Sequence, residues 1–198
     1  MYPTVKLRLP DWIGEVVGDP NYRFNTLEER MELAITLADR NVSKGGGPFG
    51  AAIFEIESGR LVAPGVNMVR PLACSLAHAE SMAILTAQKV LGTHDLSAPG
   101  LPPMELVTSA QPCIQCYGNL WWSGLQRVII GARKEDVETL TSFIEGPLPE
   151  DWAAQLENRE PLQPVKVIRD ILRPQARAVL ERYRRQGGVV YNPSVNNE

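Results

Sequence analysis

The feature that most constrains this chain is a pair of short motifs, His78-Ala79-Glu80 and Pro112-Cys113-Ile114-Gln115-Cys116. A catalytic zinc ion takes three protein ligands of nitrogen, oxygen or sulfur type and keeps a fourth position open for water. One histidine and two cysteines supply such a set. Because a long stretch of chain separates the motifs, a fold that uses both must bring two distant segments to one point.

Either motif alone is ambiguous. A histidine and a glutamate two residues apart occur by chance, and a lone C-x-x-C fits a structural zinc site, a redox pair or two buried thiols. A structural zinc site takes four protein ligands, yet Cys74 and His94 are the only other cysteine and histidine. We expect Cys74 to pack as a small apolar residue and His94 to lie in a surface loop. Together the motifs predict one catalytic Zn²⁺ per chain, held by His78, Cys113 and Cys116.

Length and composition agree with a soluble enzyme. A length of 198 residues fits one domain over 1–198 with a sizeable core. The chain has no apolar run of the ~18 residues that cross a bilayer, no secretory signal at its start, and too few cysteines for a disulfide framework, so we expect a cytoplasmic protein. A net charge of −3 argues against a nucleic-acid partner. The arginines at 182, 184 and 185 are interpreted as a solvated helix face.

The apolar periodicity predicts an α/β fold. Thr26 to Glu29 has the pattern of a capping box, and apolar residues then recur at helical spacing. Further helices are expected over 78–90 and 113–122 and after Pro174. Short apolar runs predict strands over 49–56, 60–66, 105–108, 127–130 and 165–168. Residues 147–164 are expected to form an additional loop or a short helix.

A family resemblance makes the fold and the chemistry specific. The two metal motifs, together with Pro48-Phe49-Gly50-Ala51 and Asn67, resemble the cytidine deaminase-like superfamily, and within it the small bacterial zinc-dependent guanine deaminases. The resemblance covers about 49–131. It implies a three-layer α/β/α fold with a mixed central sheet flanked by helices and a catalytic core over about 26–132. It also implies a homodimer in which the C-terminal segment, about 133–198, completes the site and is exchanged between subunits.

The resemblance implies hydrolytic deamination of guanine to xanthine and ammonia. Zinc lowers the pKa of its bound water towards ~7, and Glu80 is placed to carry the water's proton to a ring nitrogen and then to the departing ammonia. Guanine presents N1–H and 2-amino donors, so a second acid is expected from the segment after the last core strand. Glu145 is the candidate, and Asp136 and Glu138 compete with it.

Four residues are candidate substrate contacts. By resemblance, Asn67 hydrogen-bonds the purine edge, and a turn asparagine is the alternative. Phe49 is expected to pack on the ring and Trp122 to wall the pocket, although both types more often lie in a core. By resemblance, Tyr191 belongs to a tail that closes over the neighbouring site, with a frayed terminus as the alternative.

Other functions share the zinc motif. A tRNA adenosine deaminase, a cytidine or deoxycytidylate deaminase, and a deaminase of guanine-like aminotriazines all fit it. A zinc-stabilised binding module is the non-enzyme alternative. Glu80→Gln separates the classes, because an enzyme should lose most of its turnover while it retains the metal.

Overall fold

A computed structural model of the chain describes Tyr2 and residues 4–192. Its centre is a five-stranded sheet in the order β2-β1-β3-β4-β5. Strand β1 pairs antiparallel with β2 and β3, whereas β3, β4 and β5 are parallel. The sheet is therefore mixed, as predicted. The strands are β1 (Gly50–Glu55), β2 (Leu61–Val66), β3 (Met104–Ala110), β4 (Arg127–Ala132) and β5 (Lys166–Ile168).

Seven helices are present in the described part of the chain. They are α1 (Ile13–Val17), α2 (Leu27–Ser43), α3 (Ala79–Leu91), α4 (Ile114–Trp122), α5 (Lys134–Thr141), α6 (Trp152–Glu157) and α7 (Arg173–Arg185). The predicted capping box opens α2, since Thr26 Oγ1 accepts from the Glu29 N–H at 3.1 Å and the Glu29 carboxylate accepts from the Thr26 N–H. None of the helices between Tyr2 and residue 192 combines the length and the apolar character that a membrane crossing requires.

Helices cover both faces of the sheet. Along β1, Ala51 and Ile53 face a cluster that includes side chains of α3 and α4, while Ala52 and Phe54 face a cluster built with α2. All four are fully buried. A strand covered on both faces is expected to be apolar throughout rather than alternating, and this is why β1 carries no polar side chain from Gly50 to Phe54. The architecture is three-layer α/β/α.

The structure differs from the sequence predictions at the starts of two helices and in the number of helices. Helices α3 and α4 begin one residue later than predicted, so that His78 and Cys113 are the residues that precede each helix. Helices α1 and α5 were not predicted, and α6 lies in the segment for which a loop or short helix was expected. In the basic run on α7, Arg182 bonds the Asp39 carboxylate and the arginines at 184 and 185 are exposed.

Candidate active site

One edge of the sheet collects the chain segments that carry the predicted site residues. Strand β1 begins at this edge, and β2, β3 and β4 end there, because β1 runs antiparallel to its two neighbours. Phe49 precedes β1, Asn67 follows β2 and Cys113 lies three residues beyond β3. Ligand sites of open α/β sheets form beyond the carboxyl ends of the strands, and this edge is such a position.

The three predicted metal ligands converge beyond this edge. His78 Nδ1 lies 3.4 Å from Cys113 Sγ and 3.5 Å from Cys116 Sγ, and all three ligand atoms lie within 4.8 Å of one another. A tetrahedral zinc ion with ordinary bond lengths would hold a nitrogen and a sulfur about 3.6 Å apart. The donor set, its spacing and the count of three therefore fit a catalytic zinc site.

The N-terminus of α4 presents the two sulfurs. Cys113 is the N-cap of α4, and Cys116 is the third residue of its first turn. A hydrogen bond from the Cys116 thiol lowers the pKa of Cys113 to about 4, while the same bond and burial raise the pKa of Cys116. The pair thus holds one ready thiolate, and a bound metal removes the second proton.

Glu80 is a buried carboxyl group beside the ligands. It is the second residue of α3 and is only 6% exposed. Burial, with a further contribution from the nearby Cys113 sulfur, raises the pKa of Glu80 to about 7. A bound dication would lower it again. A carboxyl group with a pKa near neutrality is suited to accept a proton and to return it.

A cavity of about 570 Å³ opens over the ligands. Glu80 and Glu145 both line it, as do two of the ligands, His78 and Cys113. Cys116 lies behind them and is fully buried. The predicted substrate contacts Phe49, Asn67 and Tyr191 also line the cavity.

Asn67 is held rigidly at the cavity wall. It is 2% exposed, and its main-chain carbonyl accepts a hydrogen bond from Asn41 Nδ2 at 2.9 Å. Asn67 Oδ1 accepts from the Val69 N–H at 3.3 Å, which is the turn role of asparagine. The turn and a position on the cavity are therefore compatible. Phe49 packs by its ring against Phe143 at 5.5 Å between centroids.

Of the three acids weighed for the second carboxylate, only Glu145 lines the cavity. Asp136 is turned away and is bound by Arg173 and Arg177. Glu138 contacts the main chain of Glu145 rather than the cavity. Burial, reinforced by the Cys113 sulfur and Glu80, raises the pKa of Glu145 to about 8.

Trp122 is a correction, because the structure places it outside the cavity. Its side chain is 77% exposed and lines a separate surface depression together with Leu7 and Leu76. Six residues separate Trp122 from Cys116. At 3.6 residues per turn, that spacing rotates the side chain about 120° away from the ligand.

The tail reaches the cavity of its own chain. The Tyr191 ring packs edge-on against Phe143 at 4.6 Å, and its buried hydroxyl has no hydrogen-bond partner among the described residues. The Asn192 amide pairs with the main chain of Ile144, with contacts of 2.9 and 3.0 Å to its N–H and carbonyl. The segment is thus packed rather than frayed up to Asn192. Residues 193–198 of the predicted exchanged segment lie outside the described residues.

Several lining residues escaped the sequence analysis. Phe143 and Ile144 directly precede Glu145 and line the cavity with it. The prediction of Glu145 was therefore the one signal that pointed to them. Gln111 lies just before the second metal motif. Asn192 had no signal, since an asparagine near a chain end carries no pattern of its own.

Comparison with known proteins agrees with this site. The family model for the cytidine and deoxycytidylate deaminase zinc-binding region matches residues 24–132, more than half of the chain. A solved guanine deaminase from Nitrosomonas europaea is 43% identical with a TM-score of 0.85, over 92% of this chain and 97% of that one. A second solved relative is an asparagine-to-glutamine variant in complex with 8-azaguanine. It is 42% identical to this chain with a TM-score of 0.87, and the match covers 94% of this chain and 98% of that one.

A curated relative gives a shorter match. The guanine deaminase of Bacillus subtilis (strain 168) is 38% identical over 110 residues, which are 55% of this chain and 66% of that relative. The chain therefore spans just under two thirds of the length of that protein. The matched family segment contains all three ligands and Glu80. The chain belongs to the zinc-binding family of cytidine and deoxycytidylate deaminases.

Proposed function

We propose that this protein is a zinc-dependent guanine deaminase, which converts guanine and water to xanthine and ammonia. The observation that carries the proposal is that two buried carboxyl groups, Glu80 and Glu145, line one cavity with the three-ligand zinc site. The similarity to a solved guanine deaminase over 92% of the chain supports the choice of base. The relative that was solved with 8-azaguanine also supports guanine as the base.

The residues divide the reaction between them. Zinc, when bound by His78, Cys113 and Cys116, supplies a Lewis acid that activates water at neutral pH. Glu80 takes the proton from the attacking water as its oxygen adds to C2, and passes that proton to a neighbouring ring nitrogen. The bond from C2 to the amino nitrogen then breaks. The amino group takes a proton from Glu145 and leaves as ammonia, and the C2 hydroxyl gives its proton to Glu80 as the carbonyl of xanthine forms. Proton exchange with water then restores both carboxyl groups. One carboxyl group serves both steps because it accepts and returns a proton in sequence.

Glu145 serves the amino side of the base. Burial raises the pKa of Glu145, which favours its protonated form and suits it to donate a proton to the departing amine. The other oxygen of the same carboxyl group accepts a hydrogen bond from the N1–H of guanine. A pocket for guanine needs such an acidic acceptor, and Glu145 is its source in this proposal.

Three uncharged side chains position the base. The Asn67 amide both donates and accepts, and it contacts the purine edge. Phe49 supplies an apolar surface for the ring, and the partnerless hydroxyl of Tyr191 is a free polar contact. Tyr191 and Asn192 line the cavity, and a cavity wall formed by the tail favours a free base over a base carried by a polynucleotide.

We also propose a homodimer that buries the face around Trp122. Trp122 and Leu76 are 77% and 63% exposed and share one depression of about 300 Å³. Large apolar side chains clustered in this way mark interaction surfaces. Trp122→Asp should shift the molar mass from light scattering towards the monomer. Val90→Asp, at an exposed apolar residue that does not line this depression, is the matched control.

The cytoplasm is the compartment that we propose. Cys113 and Cys116 are close neighbours, and oxidation to a disulfide would remove two of the three ligands. Reducing compartments prevent this. Zinc that is retained by the protein after prolonged exposure to an oxidising buffer would contradict the reasoning.

Ammonia release tests the function directly. The zinc-loaded protein is incubated separately with guanine, cytidine, adenosine, an aminotriazine and adenosine-bearing tRNA. Release from guanine, lost by a factor of about 10²–10⁴ in Glu80→Gln with zinc retained, supports the proposal. Release only from another substrate overturns the choice of base. Bound zinc without release from any of them favours a binding module.

A further inference from the structure

Two side chains of helix α5 form hydrogen bonds with the main chain at Glu145 and at Gly146. Glu138 Oε1 accepts a hydrogen bond from the Glu145 N–H at 3.3 Å, and Lys134 Nζ donates to the Gly146 carbonyl oxygen at 2.8 Å. Lys134 Nζ and Glu138 Oε1 lie 3.6 Å apart, one helical turn from each other. Lys134 and Glu138 therefore form one unit, the α5 clamp.

The segment that the clamp holds has no regular secondary structure. It follows Ser142, which has a φ of +68°, and it contains Gly146, which has a φ of +81°. Without helix or sheet hydrogen bonds, such a loop depends on other contacts to stay in one place. The Ile114 N–H, which donates to the Glu145 carbonyl at 3.1 Å, is one of them, and the α5 clamp provides two more.

The charges around Glu145 act in opposite directions. The neighbouring Glu80 and the Cys113 sulfur disfavour another negative charge beside them, whereas His78 favours it. An anchor on the main chain acts without occupying the cavity. Neither Lys134 nor Glu138 lines the cavity, so they act on Glu145 through its backbone and not on the substrate.

We propose that Lys134 and Glu138 are positioning residues for the deamination, which hold the Glu145 main chain so that its carboxyl group meets the amino side of the substrate. The inference rests on the role of Glu145 in the proposed function. A displacement of about 1 Å in a reacting group lowers the rate by up to about 100-fold. We expect kcat to fall and KM to change little, because the side chains that contact the base are left in place.

Steady-state kinetics on α5 variants test the proposal. Glu138→Ala and Lys134→Met should lower kcat for guanine by about 10- to 100-fold, with KM changed less than about threefold and zinc retained. Glu138→Gln keeps an acceptor oxygen and should recover most of the loss. Glu135→Gln, an exposed change on the same helix, is the control. A kcat for Glu138→Ala equal to that of the control overturns the proposal.

A double-variant comparison separates this idea from the proposed function. If the clamp acts through Glu145, then adding Glu138→Ala to Glu145→Gln should lower turnover no further. An equal loss in both backgrounds contradicts the clamp. Wild-type turnover in Glu145→Gln alone contradicts the role of Glu145 instead. Hydrogen exchange of the Glu145 amide, which should speed up at least tenfold in Glu138→Ala, tests the anchor without reference to activity.

Discussion

The side-chain amide of Asn41 donates to the main-chain carbonyls of both Gly47 and Asn67, at 2.8 and 2.9 Å. Asn41 lies on α2 and is 3% exposed. One buried NH₂ group therefore fastens two separate cavity segments, the loop before β1 and the turn after β2, to the helix behind them. An amide is well suited to this position, because its NH₂ group carries two donors.

Asn41→Asp should weaken both binding and stability. The variant keeps the size but replaces two donors with acceptors, which leaves two buried carbonyls opposite a carboxylate. Unfolding free energy should fall by about 2–4 kcal/mol, and KM for guanine should rise as Asn67 moves. Denaturant unfolding and kinetics measure the two effects. Asn25→Asp, at an exposed position, should change neither, and a stable Asn41→Asp with a normal KM would contradict the argument.

Ser81→Ala should loosen the metal. Ser81 Oγ lies 3.9 Å from Cys116 Sγ and accepts a hydrogen bond from Asn119 Nδ2 at 2.8 Å, so its own hydrogen is free to point at the sulfur. Outer contacts of this kind contribute 10- to 100-fold to metal affinity. The zinc dissociation constant should rise by about tenfold, as measured by competition with a chelating dye. Ser97→Ala in an exposed loop is the control, and equal affinities would refute the role of Ser81.

The metal ligands were predictable because short motifs encode them, whereas the second acid could be predicted only as a candidate, Glu145, with two competitors. Glu145, Glu138 and Asp136 look alike in the sequence, and only packing separates them. Asp136 is engaged by arginines of α7, far away along the chain. Glu138 contacts a main-chain amide, and only Glu145 reaches the cavity. Long-range partners of this kind leave no local pattern.

The fold shows the same difference between elements that a local pattern encodes and elements that depend on distant contacts. Apolar runs predicted all five strands, because both faces of the sheet are covered. Helix α5 has few apolar residues and was missed, since it packs mainly against α7, which lies far away along the chain. Trp122 was misplaced because six residues along a helix do not return to the same face.

Asp136→Asn should destabilise the protein in a pH-dependent way. Burial opposes ionisation of Asp136, but hydrogen bonds from Arg173 and from the Arg133 N–H outweigh it and lower the pKa to about 2. Because the folded-state pKa lies below the unfolded value of about 3.8, the wild-type advantage is complete above that value and disappears as the pH falls towards 2. At pH 7 the loss should be about 2–4 kcal/mol.

Denaturant unfolding at several pH values measures this loss. The gap between wild type and Asp136→Asn should be constant from pH 7 to about 5 and then close between about pH 4 and 2. Glu135→Gln, at the exposed neighbouring residue, should show no gap. A gap that is the same at pH 7 and pH 2.5 would assign the effect to packing instead of charge.

Gly47→Ala should displace the tail from the cavity. A Cβ atom at Gly47 would overlap the Tyr191 hydroxyl oxygen and would lie 3.1 Å from Asn67 Oδ1. Contacts this short force a neighbour to move, and the Tyr191 hydroxyl is the nearer of the two. KM for guanine should rise by about tenfold or more, whereas zinc content should stay the same. Gly118→Ala is the matched control, because a Cβ there meets no atom within 4 Å.

The companion variant Tyr191→Phe shows whether the hydroxyl is the atom in the way. It removes the oxygen that the new methyl group would meet, so Gly47→Ala should cost much less in the Tyr191→Phe background than in the wild type. Tyr191→Phe alone should raise KM for guanine if the hydroxyl contacts the base. It should also stabilise the protein slightly, because it removes a buried hydroxyl that has no hydrogen-bond partner among the described residues. Equal effects of Gly47→Ala in both backgrounds would place the conflict at Asn67 rather than at the tail.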